Sequence, residues 1–291
     1  MPSVTAGPEL VLETSRGQLY HGDCLELLAT METESVDLVF ADPPFNLDKD
    51  YGDGVSDDLD DDHYLSWCRK WLAESVRVLG SGGSLFVYNL PKWNVELGHH
   101  LYELGMTFRH WIAIDIKMTL PIPGRLYPSH YSLLYFSKGK PKRFERPRVP
   151  IPVCRHCGGD IKDYGGHRKK LNPKGLNLTD VWTDIPPVRH RGTKRRGANE
   201  LSEKLLERVL TIGTEEGDLV FDPFGGAGTT YAVAERMHRH WVGIELGEVD
   251  PIVARLTGQA YEVEAPNRGD AGKGISRSET AKSDSGHPSL F

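Results

Sequence analysis

The chain has 291 residues, 38% of them hydrophobic, and a net charge of -6; this is enough apolar content for one large α/β domain carrying an inserted module. Its longest apolar runs are too short to span a bilayer, which excludes a helical membrane protein, and it has no internal repeat. Four cysteines without a secretory leader indicate a reducing interior, a bacterial-type cytoplasm or nucleoid.

Residues 1–16 read as a polar leader. Gln18-Leu19-Tyr20-His21 then reads as a strand running into Gly22-Asp23-Cys24-Leu25. Ser35 to Ala41 is a second apolar run, short enough for a buried parallel strand, and it delivers Asp42-Pro43-Pro44-Phe45 to its carboxyl end, where open α/β sheets bind ligands. The segment Asp48 to Asp62 is rich in aspartate and contains Gly52 and Gly54, a composition expected of a solvent-facing lid beside a site. From Tyr64 to Val78, Leu65, Trp67, Cys68, Trp71, Leu72 and Val76 recur at helical spacing. Ser84 to Tyr88, Trp111 to Asp115 and Tyr131 to Lys138 read as further strands.

A change of charge follows. Between Lys138 and Arg196 there are seventeen Lys and Arg against five Asp and Glu, a net of +12, so the remainder of the chain carries -18. Clustered cations neutralise phosphates and release counterions, and this segment reads as the face that meets nucleic acid. Arg168, Lys169, Lys170, Arg189, Arg191, Lys194, Arg195 and Arg196 are the candidate contacts, the last five in a glycine-flanked loop. Trp182, Tyr164 and Pro186-Pro187 add apolar surface among the charges. Cys154-x-x-Cys157 with His167 has part of the spacing of a zinc site, but a structural site needs four ligands; a turn with two reduced thiols is the preferred reading, with no metal assigned.

Past the basic segment, Leu201 to Ile212 is patterned as a helix. Asp218 to Phe221 is a strand, Asp222-Pro223-Phe224-Gly225-Gly226-Ala227-Gly228-Thr229-Thr230 a glycine turn, and Tyr231 to Arg236 a helix started by Thr229 and Thr230. Strand, glycine turn and helix form a nucleotide-cradling geometry. The spacing is neither Gly-x-Gly-x-x-Gly nor a phosphate loop ending in Gly-Lys-Ser/Thr. The turn offers no cation for phosphate, so an acidic loop with Asp222 at its mouth suits a positively charged nucleoside, the sulfonium S-adenosylmethionine. Trp241 to Glu245 is a following strand ending in a carboxylate, placed to accept from ribose hydroxyls. Asp23 and Glu245 also read as helix caps. From about Glu262 the composition turns to that of a disordered tail.

Taken together, Asp-Pro-Pro-Phe followed much later by the Asp-Pro-Phe-Gly-Gly loop resembles the amino-methylating DNA methyltransferases, which modify adenine N6 or cytosine N4. The motif order is similar to that of their permuted β group, over roughly residues 18 to 256. The resemblance implies a Rossmann-like S-adenosylmethionine-dependent methyltransferase sheet with helices on both faces and circularly permuted motifs. It divides the chain into a catalytic half (17–137), a basic target-recognition region (138–198), a cofactor half (199–261) and a tail (262–291).

It further implies that Asp42, Pro43, Pro44 and Phe45 are catalytic. Asp42 and the Pro43 carbonyl would accept the two N–H bonds of the target amine, and Phe45 would stack on a flipped base. Asp23, Cys24, Asp42, Asn199, Asp222, Phe224, Gly225, Gly226, Gly228, Thr229 and Glu245 would hold the cofactor. Asp at the first catalytic position favours adenine N6. Many cytosine N4 enzymes have Ser there, and Tyr is usual where Phe45 stands. Cytosine N4 is the alternative, with an RNA amine methyltransferase or a DNA-binding protein without catalysis ranked below. The partners implied are double-stranded DNA, a second copy of the chain in a homodimer and a cognate restriction endonuclease; no membrane is involved.

Overall fold

The computed structural model describes residues 7–46, 59–116, 124, 126, 128–154, 156–163, 165–186 and 200–259. Strand β1 (Glu9–Glu13) opens the chain and pairs antiparallel with β2 (Gly17–His21), so part of the segment expected to be a polar leader is an edge strand. Its five residues are exposed or half-buried; it pairs with β2, and Val11 and Leu12 pack against the core. Then follow α1 (Cys24–Thr30), β3 (Val36–Ala41), α2 (Asp61–Val78), β4 (Leu79–Asn89), α3 (Pro91–Glu103), β5 (Thr107–Asp115) and β6 (His130–Ser137). The basic region contributes β7 (Arg148–Val149), β8 (Leu176–Asn177) and β9 (Val181–Trp182). The chain closes with α4 (Glu203–Gly213), β10 (Leu219–Asp222), α5 (Thr229–Arg236), β11 (His240–Glu245) and α6 (Asp250–Thr257).

Nine strands form one sheet in the order β1-β2-β11-β10-β3-β4-β6-β5-β9, while β7 and β8 pair separately. From β2 to β4 every pairing is parallel, and β6 then runs antiparallel to both β4 and β5. Because strand side chains alternate, β3 serves two cores. Leu38 and Phe40 face one cluster with Leu206, Val209 and Leu210 of α4, Tyr231 of α5 and Ile252 of α6. Val39 and Ala41 face another with Leu28 of α1, Trp71 and Leu72 of α2 and Leu97 of α3. Helices thus cover both faces, as an all-parallel centre buried on two sides requires.

Two local details differ from the sequence expectation. Asp60, Asp61 and Asp62, read as the end of an acidic lid, start α2: the Asp60 carboxylate accepts from the His63 amide at 3.0 Å, and its neighbours lie in the first turn, where the helix dipole favours negative charge. The rest of that segment, residues 47–58, lies outside the described residues, as does the proposed tail. Trp182, expected as surface, is 1% exposed and packs in the core beneath the Arg208 guanidinium, 5.2 Å from its ring.

Candidate active site

Since β2, β11, β10, β3 and β4 are parallel, their carboxyl ends open on one edge of the sheet, and the first four each deliver a segment singled out by its chemistry. In spatial order these are Asp23 after β2, Glu245 at the end of β11, the glycine loop after β10 and Asp42 to Phe45 after β3; Asn89 ends β4. The two motif loops leave adjacent strands, β10 and β3. The helix after β10 packs on one face and the helix after β3 on the other, so the loops flank the point where the winding reverses, a natural crevice.

The glycine loop is shaped from below. Asp222 is 2% exposed, not at the mouth as expected; one carboxylate oxygen accepts from the Phe224 amide at 2.9 Å, and the Thr230 hydroxyl bonds to the same side chain. Burial pushes the Asp222 carboxyl up to about 7, and the negative Glu245 nearby adds to the shift. The Gly225 amide donates to Ile244 at 2.9 Å and the Gly228 amide to Gly225 at 2.8 Å, which closes the turn. Gly228 sits in the left-handed region at φ 71°, and a Cβ on it would lie 2.6 Å from Ile252 Cγ2. Phe224, half-buried, packs its ring against Trp71 at 5.2 Å and Trp67 at 5.6 Å.

Glu245 spans two loops: Oε2 accepts from the Gly226 amide at 2.6 Å and Oε1 from the Gly247 amide at 2.9 Å. Asp23 caps α1, with Oδ1 accepting from the Leu25 amide at 2.7 Å. Cys24, the first residue of that helix, is buried, and burial pushes its thiol up to about 12, so it is no nucleophile at neutral pH. Thr229 opens α5 and its hydroxyl accepts from Arg255 of α6 at 2.9 Å; Arg255 also pairs with Glu200 at 3.0 Å. Glu200 adjoins Asn199, itself outside the described residues, so the chain entering α4 is tied to the glycine loop through a nearly enclosed ion pair. Neither Glu200 nor Arg255 was singled out in the sequence, where their separation hides the contact.

The loop from Asp42 to Phe45 is braced at two consecutive carbonyls. The Tyr64 hydroxyl of α2 donates to Pro44 O at 2.7 Å, and the Trp93 indole of α3 donates to Phe45 O at 2.8 Å. Asn89 in turn donates to the Tyr64 hydroxyl at 3.0 Å. Asp42 is half-buried while Phe45 is 8% exposed, its ring enclosed by Tyr88 at 6.0 Å and Tyr131 at 5.6 Å. Burial raises both tyrosine hydroxyls, and the Asp42 charge raises them further, which places Asp42 beside this trio. Of the three rings Tyr131, at the head of β6, is the most accessible, so the aromatic surface around Phe45 includes a residue that the sequence showed only as part of a strand.

In the basic region, Lys169 and Lys170 are exposed on a single 3-10 turn, Arg168–Lys170. The side chain of Arg168 lies outside the described set, as do Arg189, Arg191, Lys194, Arg195, Arg196 and Tyr164. The segment returning from the basic region is anchored by Asp184, which accepts from both guanidinium nitrogens of Arg208 at 2.8 and 2.6 Å and from Lys204 at 2.6 Å. Cys154 and Cys157 occupy a tight turn closed by the Cys154 amide on Gly159 O at 2.7 Å and the Gly158 amide on Cys154 O at 2.9 Å. Among the described residues no three His, Cys, Asp or Glu side chains group as metal ligands. No helix among them is long and apolar enough to cross a membrane.

A mixed α/β sheet, parallel at its centre, thus carries a glycine loop and an Asp-Pro-Pro loop side by side at its carboxyl edge. The chain belongs to the N6/N4 DNA methylase family, whose pattern matches residues 36–250. It is 56% identical over 244 residues to the type II methyltransferase M.BamHI of Bacillus amyloliquefaciens, covering 84% of this chain and 57% of that protein. It is 31% identical over 237 residues to the type II methyltransferase M.HpaI of Haemophilus parainfluenzae, covering 79% and 70%. Its fold is similar to that of the PvuII DNA methyltransferase (cytosine-N4-specific), with a TM-score of 0.61 at 24% identity over 86% of this chain and 88% of that one. It is also similar to the M1.HpyAVI complex with S-adenosylmethionine, with a TM-score of 0.55 at 20% identity over 82% and 98%.

Proposed function

We propose that this chain transfers a methyl group from S-adenosylmethionine to an exocyclic amine of a flipped base in double-stranded DNA, as the modifying half of a type II restriction system. The observation that carries the reading is the adjacency of the two loops at the carboxyl ends of β10 and β3. It supports the permuted arrangement too: β10, late in the chain, is threaded between β11 and the early strand β3, and the basic segment falls between the two motifs. The basic segment supplies the phosphate contacts, Lys169 and Lys170 among them.

The residues present fit the cofactor. At Gly225 and Gly228 a Cβ would strike Ile252, so only glycine lets the loop turn this tightly; the loop from Asp222 to Thr230 has no Lys or Arg and meets the Glu245 carboxylate at its Gly226 amide, which suits a sulfonium and disfavours a phosphate. Asp23, Cys24, Asp42, Asn199, Asp222, Phe224, Gly225, Gly226, Gly228, Thr229 and Glu245 are the residues that would hold it. When bound, the cofactor supplies an electrophilic methyl carbon. Asp42 and the Pro43 carbonyl accept the two N–H bonds of the amine and favour a tetrahedral nitrogen with its lone pair free to react. Asp42 then takes the proton the nitrogen loses on methylation and passes it to water. Phe45, with Tyr131 beside it, forms the aromatic wall for the base.

Asp42 favours adenine N6 as the acceptor. Cytosine N4 is the second reading: its amine presents the same pair of N–H bonds to Asp42 and Pro43, and the PvuII enzyme that shares this fold is described as cytosine-N4-specific. The test is nucleoside mass spectrometry of unmethylated DNA incubated with the protein and S-adenosylmethionine. N6-methyladenine supports the first reading and N4-methylcytosine the second. Absence of both overturns the proposed function.

A further inference from the structure

Three successive carbonyls follow Asp42, and the fold treats them differently. Pro44 O accepts from Tyr64 and Phe45 O from Trp93, whereas among the described residues no donor reaches Pro43 O. The donors come from two different helices and are themselves enclosed: Tyr64 is 2% exposed, Trp93 3% and Asn89 0%. Asn89 sets the direction of the bracing. Its Nδ2 donates to the Tyr64 hydroxyl oxygen, whose single proton is thereby directed at Pro44 O, and its own Oδ1 accepts from the Leu90 amide at 2.7 Å, which fixes which end of the amide faces the tyrosine. The Tyr64 and Trp93 rings pack together at 4.7 Å, so each donor helps hold the other in place, and Lys92 lies over the Trp93 ring at 3.7 Å.

We propose that Tyr64, Asn89 and Trp93 are positioning residues for methyl transfer. By claiming the Pro44 and Phe45 carbonyls they set the peptide planes of the loop and leave the Pro43 carbonyl as the one that meets the target amine beside Asp42. The inference rests on the proposed function, since it presumes an amine at that carbonyl. The bracing bonds end on the loop from Asp42 to Phe45, and Tyr64 meets Phe224 of the glycine loop at one remove, through the Trp67 ring, so loss of the bracing is read first in the transfer step. A misplacement of about 1 Å in a reacting group is worth roughly a hundredfold in rate.

The test is Tyr64→Phe, which deletes one hydroxyl and keeps the ring, with Asn89→Asp as a second variant that replaces the donor by an acceptor. Single-turnover methyl transfer to unmethylated plasmid DNA is followed with saturating S-adenosylmethionine, alongside calorimetric binding of the cofactor and filter binding of the DNA. The expected result is a loss of roughly 10- to 100-fold in the transfer rate, with both dissociation constants within about twofold of the parent, a change too small to account for that loss. Transfer by Tyr64→Phe at the parent rate would overturn the proposal, as would a loss matched by weaker cofactor or DNA binding. Trp93→Phe decides the matter if Asn89→Asp does not fold. A parent protein that methylates nothing overturns the proposed function instead, so the two failures are distinct.

Discussion

Replacing Gly228 by alanine separates two costs that the glycine loop avoids. Backbone conformation is the first: at φ 71° an L-residue is strained by about 1–2 kcal/mol. Packing is the second. The new Cβ would lie 2.6 Å from Ile252 Cγ2, 3.3 Å from its Cβ and 3.4 Å from its Cα, where carbon atoms prefer about 3.5–4.0 Å. Ile252 is fully buried on α6 and has no room to yield, so overpacking adds about 1–3 kcal/mol. The sum, about 2–5 kcal/mol, is to be compared with Gly217→Ala, where φ is 86° but the added Cβ meets nothing within 4 Å, and only the conformational part of about 1–2 kcal/mol applies. Urea unfolding of the two variants at equal pH measures both. Calorimetry with S-adenosylmethionine should show at least about tenfold weaker binding for Gly228→Ala and parent affinity for Gly217→Ala. Equal stability losses in the two variants would refute the packing argument, and unchanged cofactor binding by Gly228→Ala would remove the loop from the cofactor site.

Asp42→Ala is expected to keep S-adenosylmethionine binding detectable by calorimetry, since the glycine loop and Glu245 still hold the cofactor, and to transfer no methyl to DNA; any retained transfer would take Asp42 out of the reaction. Asp184 is held well below the usual carboxylate range, first by its hydrogen bonds from Arg208 and further by Lys204. A depressed carboxylate stabilises the fold above its unfolded pKa of about 3.9 and loses that contribution as pH falls. Asp184→Ala should therefore cost about 1–2 kcal/mol at pH 7, discounted because the Asp184 side chain is 43% exposed. The gap should shrink in urea titrations at pH 2.5, and a constant gap would mean the loss is packing and not charge. The double variant Lys169→Ala with Lys170→Ala should lower the slope of log affinity for DNA against log salt by about 1–2; an unchanged slope would show that the exposed turn does not face phosphate.

Much of the sheet was legible in the sequence because its central strands are buried on both sides and read as short apolar runs ending at a turn or an acid. The runs at Val36–Ala41, Leu219–Asp222 and His240–Glu245 need no partner to be recognised, and the glycine loop announces itself by residue type. The edge strand Glu9–Glu13 was not legible: with one neighbour and no enclosed side chain it lacks both the apolar run and the burial. Helix α3, Pro91–Glu103, was missed for another reason. Its buried Trp93, Asn94, Leu97, Gly98 and Leu101 include an asparagine and a glycine, which weaken the helical pattern until Asn94 is seen donating to Val87 O and to Ser132 at 2.7–3.3 Å.

By itself, then, the sequence determined what was chemically available: an Asp-Pro-Pro loop, a glycine loop without cations and a basic segment between them, each defined by local residue types whose meaning does not depend on the rest of the chain. Only the tertiary structure decided which groups stand together. It set β10 beside β3, enclosed Asp222 so that its carboxyl rises to about 7, brought Tyr131 to Phe45, and aimed Tyr64, Asn89 and Trp93 at the loop after Asp42. The reason is that burial, dielectric environment and hydrogen-bond partnership belong to positions in space. Side chains from different elements acquire them only when the sheet closes, and no spacing along the chain encodes them.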